Sequence, residues 1–195
     1  MKLWDFKAIV YRFWRRFFPI NLIWQAEQKA ARELFERDNQ ATQRVLNVGC
    51  GVGDNLPLTS NFVVQVDLSQ QMLQQIRQKQ ASANQRTLLV QADATSLPFR
   101  SQTFDILLCI GVTEYISDQI SLLKEFQRVL VPEGGMLITI SHRHPLNYLR
   151  LLLGHQLHLL PEEKFSRLLQ SFNFRLIASR RTLIQQQFWT KKIDN

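Results

Sequence analysis

The chain has 195 residues, 45% apolar and 21% charged, with a net charge of +8. That length suits one domain with a sizeable core. Its two cysteines exclude a disulfide framework, and no apolar run approaches the roughly 18–20 residues that a membrane-spanning helix needs.

In chain order, residues 1–40 read as cap helices. Leu3, Phe6, Ile9, Val10, Phe13, Trp14 and Phe17 recur at spacings of three and four, the period of an apolar helix face. Lys2, Lys7, Arg12, Arg15 and Arg16 supply a basic face, with Trp4, Trp14 and Trp24 nearby. These charges break the apolar stretch and no small-residue cleavage site follows, so the segment is not a secretory signal. With two isolated thiols, Cys50 and Cys109, the expected compartment is the reducing cytoplasm. A basic amphipathic helix with tryptophan suits the surface of an anionic membrane; the same apolar face could instead pack on the core as a cap. The excess positive charge suits an anionic contact, and it equally suits plain solubility. Pro19 interrupts, and a second helix follows over Asn21–Arg37.

From residue 41 the pattern predicts alternating strands and helices, an α/β domain reaching residue 195. Strands fall near 44–48, 62–66, 87–91, 104–110 and 135–140, and helices near 54–59, 69–80 and 118–130. The runs at 104–110 and 136–140 are almost continuously apolar, as in parallel strands covered on both faces. Pro132-Glu133-Gly134-Gly135 is expected to break the helix and lead into a strand. Residues 141–160 read as a loop or irregular helix. Pro161-Glu162-Glu163 starts a helix to Ser171, and 174–180 and 184–193 form a closing strand pair.

The most specific local signal is Val45-Leu46-Asn47-Val48-Gly49-Cys50-Gly51-Val52-Gly53, a strand running into alternate glycines. Such a loop lets a ligand approach the backbone N–H groups closely. Asp67, ending the next apolar run, stands where a doubly wound sheet places an acceptor for ribose hydroxyls. The glycines alone also fit a tight turn, and Asp67 alone also fits a helix cap, a role that suits Ser69 as well.

The order of motifs resembles the class I S-adenosylmethionine-dependent methyltransferases, in their small lipid and quinone methylating branch. Val45–Gly53, then Val66-Asp67-Leu68-Ser69 with Met72-Leu73, carry the first two motifs. Gln91-Ala92-Asp93-Ala94 with Leu97-Pro98-Phe99 carry the third. Phe104-Asp105 through Glu114-Tyr115 carry the fourth, and Arg128 through Gly135 precede strand five. The resemblance implies a doubly wound, mostly parallel Rossmann-like sheet of seven strands, with helices on both faces and an antiparallel last strand. It implies S-adenosyl-L-methionine as cofactor, held by Asn47, Gly49, Cys50, Gly51, Gly53, Asp67, Leu68, Met72, Asp93, Ala94, Ile110 and Gly111. Asn47 departs from the family, which usually has an acid there. The resemblance also implies that the N-terminal helix caps the site.

Methyl transfer from a sulfonium is an in-line displacement, so alignment dominates and only a hydroxyl or phenol nucleophile demands a base. Candidates at the carboxyl edge of the sheet are His142, His144, Glu114 and Tyr115. The expected acceptor is small or lipid-like, a phospholipid amine or a quinone precursor, methylated by a peripheral protein at the membrane. No metal is expected, because His and Cys do not cluster at ligand spacing. Base-amine methylation of nucleic acid is disfavoured, since Cys109-Ile110-Gly111-Val112 replaces the Asn/Asp-Pro-Pro-aromatic motif of that branch. A non-catalytic cofactor-binding module and a methyltransferase of a soluble small molecule or nucleic acid remain the alternatives. The acceptor and the oligomeric state are not legible.

Overall fold

A computed structural model describes residues 20–36, 43–53, 62–80, 87–148 and 156–194. Helix α1 (Ile20–Phe35) leads into β1 (Arg44–Val48) and β2 (Phe62–Asp67), then α2 (Gln70–Gln80), β3 (Thr87–Gln91) and β4 (Phe104–Cys109). Helix α3 (Gln119–Val129), β5 (Leu130–Ser141), the short α4 (Pro145–Tyr148), α5 (Glu162–Ser171), β6 (Phe174–Arg181) and β7 (Gln185–Lys192) complete the chain. The seven strands form one sheet in the order β3-β2-β1-β4-β5-β7-β6. Strands β1 to β5 pair in parallel, and β7 runs antiparallel between β5 and β6. This is the doubly wound arrangement expected from the sequence, with its switch point between β1 and β4.

The near-continuous apolar strands have the reason anticipated for them. One face of the sheet packs Leu46, Val64, Leu107, Met136 and Ile138 against Leu122, Phe126 and Val129 of α3 and Phe165 and Leu169 of α5. The other packs Val45, Val63, Ile106, Leu108 and Leu137 against Ala31, Leu34 and Phe35 of α1, with Trp189 in edge contact with Phe35. Strands covered on both faces leave no side for polar alternation. Helix α3 starts where Asp118 accepts the Ser121 N–H at 2.9 Å, an N-cap. The start of β1 is tied to β4 by Asp105, whose carboxylate accepts the Arg44 N–H at 2.7 Å and pairs with its guanidinium at 2.9 Å.

One boundary differs from the expectation. Extended pairing begins at Leu130, not near 135, because Phe104 pairs with Leu130 before the register jumps to Ile106 opposite Gly135. Pro132 and Glu133 sit in the resulting bulge, with Glu133 at φ +57°. The expected helices at 1–19 and 54–59, and the proposed domain division near residue 40, fall outside the described residues. No helix among those described is long and apolar enough to cross a membrane.

Candidate functional site

Strand β1 delivers the glycine loop to the carboxyl edge. All three loop glycines have positive φ: +65° at Gly49, +55° at Gly51 and +75° at Gly53. Their surroundings differ. A Cβ on Gly49 would lie 2.2 Å from Val112 Cγ2, whereas a Cβ on Gly51 would meet nothing within 4 Å among the described residues. Gly49 is therefore demanded by internal packing, and Gly51 leaves open a cradle that a side chain would enter. The loop is braced by Cys50 N–H to the Val66 carbonyl at 3.0 Å and by Lys79 Nζ to the Val52 carbonyl at 2.9 Å. Cys50 is buried and its thiol is pushed up in pKa, first by burial and then by Asp67. It is inert packing behind the loop.

Asp67 ends β2 beside this loop. One carboxylate oxygen accepts the Gly51 N–H at 2.8 Å and the other accepts the Ser69 N–H at 2.9 Å. Capping of α2 falls to Ser69, whose hydroxyl accepts the Met72 N–H at 3.3 Å. Asp67 thus fixes the geometry between two motifs rather than closing a helix. Leu68 beside it is 42% exposed, and Met72 is buried with Val52. Asp93 follows β3, where its Oδ1 accepts from the backbone and hydroxyl of Thr95 within an Asp93–Ser96 turn that carries Ala94.

Asn47 lies inside the sheet at 2% exposure, and its amide donates to Gln65 Oε1 at 2.7 Å. Two neutral amides meet where a carboxylate would need a buried counter-charge.

Beyond β4, Ile110 is buried and Gly111, at φ +69°, donates its N–H to Thr139 Oγ1 at 2.8 Å. Glu114 and Tyr115 follow in a single 3-10 turn, Thr113–Tyr115. Glu114 is buried and accepts the Ser141 hydroxyl at 2.8 Å, joining the ends of β4 and β5. The two histidines beyond β5 differ. His144 Nδ1 accepts the Leu146 N–H at 3.3 Å and caps the turn into α4. His142 Nε2 is buried and has no hydrogen-bond partner among the described residues. Burial first, then the positive charge of Arg181, holds the His142 pKa below its ordinary value, so the imidazole is neutral near pH 7.

Several residues at this edge had escaped sequence reasoning. Glu27 of α1 is buried; its carboxylate accepts from the Thr182 hydroxyl, the Ile184 N–H at 3.3 Å and the Gln187 amide at 3.2 Å. Gln185, Gln186 and Gln187 open β7 and are all buried. Three consecutive glutamines in a strand are the signal that could have marked them, because polar runs seldom enter an interior strand without a partner or ligand. A groove of about 390 Å³ lined by Gln102, Arg128, Asn173 and Lys192 lies at the opposite, amino edge of the sheet. Among the described residues no cluster could hold a metal ion.

The methyltransferase domain family matches residues 46–138, from the glycine loop through β5. Over that span the chain carries a methyltransferase domain, in keeping with the class I S-adenosylmethionine-dependent methyltransferases. Relatives of this methyltransferase include a ubiquinone biosynthesis O-methyltransferase of Pseudomonas syringae pv. tomato, 27% identical over 165 residues, which cover 80% of this chain and 70% of that one. The chain spans 45% to 70% of the length of such curated relatives. A methyltransferase of Methanosarcina mazei shares the fold at TM-score 0.70 and 15% identity, covering 82% of this chain and 97% of its own. An S-adenosylmethionine-dependent methyltransferase of Mesorhizobium loti does so at 0.72 and 17%, covering 86% and 98%. The methyltransferase's cofactor is S-adenosyl-L-methionine, and the open face at Gly51 beside the Asp67 carboxylate fits it.

Proposed function

We propose that this methyltransferase transfers a methyl group to a hydroxyl, phenolic in character, of a small or lipid-like acceptor such as a quinone precursor. The observation that carries the reading is His142: a neutral imidazole whose buried Nε2 has no partner among the described residues, at the edge where ligands of such sheets bind. An amine acceptor needs no base, whereas a phenol does. The relatives named as O-methyltransferases support the same choice.

When bound, S-adenosylmethionine supplies a methyl carbon made electrophilic by the sulfonium. In this reading Asp67 accepts from the ribose hydroxyls, with Gly49, Cys50, Gly51 and Gly53 shaping the loop beneath them. Leu68, Met72, Asp93 and Ala94 form the adenine side, and Asn47, Ile110 and Gly111 lie toward the methionine end. His142 Nε2 takes the acceptor's proton, while Glu114 keeps the ends of β4 and β5 together and Tyr115 lines the approach. His144 serves the local turn. The basic, aromatic segment at residues 1–19 docks the protein on an anionic membrane from the cytoplasmic side, which brings lipid-like acceptors within reach.

The test is methyl-label transfer to lipid extract, quinol precursors and nucleic acid. Label in hydroxyl acceptors, lost in His142→Asn with cofactor affinity intact, is expected. Label confined to amine lipids or nucleic acid would overturn the acceptor assignment. For the membrane, sedimentation with anionic vesicles should fall when residues 1–19 are removed; equal sedimentation of both forms removes that segment from the reading.

A further inference from the structure

The β7 glutamines have no place in the reaction as described so far. Gln185 is 6% exposed, and its amide oxygen has no hydrogen-bond partner among the described residues. A buried acceptor left unmatched destabilises the protein unless something supplies a donor. Its position says what that is. The Gln185 amide nitrogen lies 3.5 Å from where a Cβ on Gly111 would stand, directly over the loop that follows β4. Gln185 pairs across the ladder with Ser141, the residue that donates to Glu114 and precedes His142. The His142 N–H donates to the Ile184 carbonyl at 3.0 Å, and the Asn147 amide donates to both the His142 and Ile184 carbonyls at 2.8 Å.

The residue is also held still. Its carbonyl accepts the Thr182 N–H at 2.9 Å, and the Thr182 hydroxyl reaches the buried Glu27 carboxylate, so the turn before β7 is anchored to α1. A side chain on a fixed backbone is preorganised for a ligand. Asn147 Oδ1 and His142 Nε2 are likewise buried with no hydrogen-bond partner among the described residues.

We propose that Gln185 is a specificity-determining residue: its amide oxygen accepts from a second O–H or N–H on the methyl acceptor, next to the hydroxyl that is methylated. This rests on the hydroxyl-acceptor reading above. It selects acceptors bearing two neighbouring donors over those with one, and it rejects groups that offer only lone pairs, because two acceptors facing each other leave both unsatisfied.

The experiment titrates the full-length protein, saturated with S-adenosylhomocysteine, with catechol, 2-aminophenol, phenol and veratrole, following affinity by ligand-observed magnetic resonance. Catechol and 2-aminophenol should bind about three- to tenfold more tightly than phenol, the worth of one neutral hydrogen bond, with veratrole weakest. Gln185→Leu should bring catechol down to the level of phenol and leave phenol unchanged. Gln185→Glu, which keeps an acceptor oxygen, should restore the preference. If the leucine variant does not fold, Gln185→Met is compared with Gln185→Glu in the same way. Equal affinity for catechol and veratrole, or a preference that survives both apolar variants, overturns the assignment. Saturation with the nucleoside is measured first: failure there overturns the methyltransferase reading, and the Gln185 assignment falls with it.

Discussion

Gly49→Ala tests whether the glycine loop is required by the protein's own packing before any ligand arrives. At φ +65° an alanine costs about 1–2 kcal/mol against glycine. Its Cβ would also stand 2.2 Å from Val112 Cγ2, so the loop or Val112 must shift, an overpacking cost of about 1–3 kcal/mol. Together the loss is about 2–5 kcal/mol, which for a chain of this size lowers Tm by about 4–20 °C. The second cost resides in the partner and is separable from the first. In the Gly49→Ala/Val112→Ala double variant the clash is gone, so a double-mutant cycle should show a favourable coupling of about 1–3 kcal/mol while the backbone cost remains. Thermal and urea unfolding of the four proteins decide it. A Gly49→Ala variant melting within about 2 °C of the parent, the least shift the backbone cost allows, or additive effects of the two substitutions, would refute the packing argument. Gly51→Ala is the control. With nothing among the described residues within 4 Å of its Cβ, it should lose only the backbone part, yet weaken S-adenosylmethionine markedly in calorimetry.

Four further outcomes follow from the same geometry. Asp67→Asn should weaken S-adenosylmethionine about 10- to 100-fold by calorimetry, since a charged acceptor is worth about 1.5–3 kcal/mol; unchanged affinity would remove Asp67 from the ribose assignment. For His142 the base must be unprotonated. Its lowered pKa puts the acid limb of the kcat/KM profile below the ordinary histidine value near 6.5, and His142→Asn should abolish that limb along with most of the rate. The Asp105 pKa is depressed, chiefly by its hydrogen bond from Arg44, so the stability it contributes is present above about pH 4 and is lost as pH falls through the folded value. Acid unfolding of Asp105→Asn should accordingly begin from a less stable protein and show a shallower loss below pH 4. Finally, burial raises both thiols, so Cys50 and Cys109 should resist iodoacetamide in the native protein and react in urea; rapid native alkylation would show that the loop opens.

The glycine loop and the acid beside it were legible because their geometry leaves local marks. Alternate glycines, an acid closing the next apolar run and a turn after β3 are each fixed by a few neighbouring residues. The positions of the first five strands were legible for a related reason: parallel strands covered on both faces are mostly apolar. The surroundings of His142 were not. Gln185 and Glu27 are distant in sequence from each other and from His142, and only the return of β7 between β5 and β6 brings them together. A glutamine run reads as surface until the sheet order is known. The start of β5 was misplaced because Pro132 and Gly134 look like a break, whereas the strand absorbs them as a bulge opposite Phe104 and Ile106.

That return has a consequence for how the molecule comes into being. β7 is last in the chain yet interior in the sheet, so β6 has no neighbour to pair with until β7 has been made. On the ribosome, the glycine loop and Asp67 emerge with β1 and β2 and can settle early. The contacts of His142 and Gln185 wait for the final strand. A nascent chain thus completes its glycine loop and Asp67 well before the surroundings of His142 and Gln185.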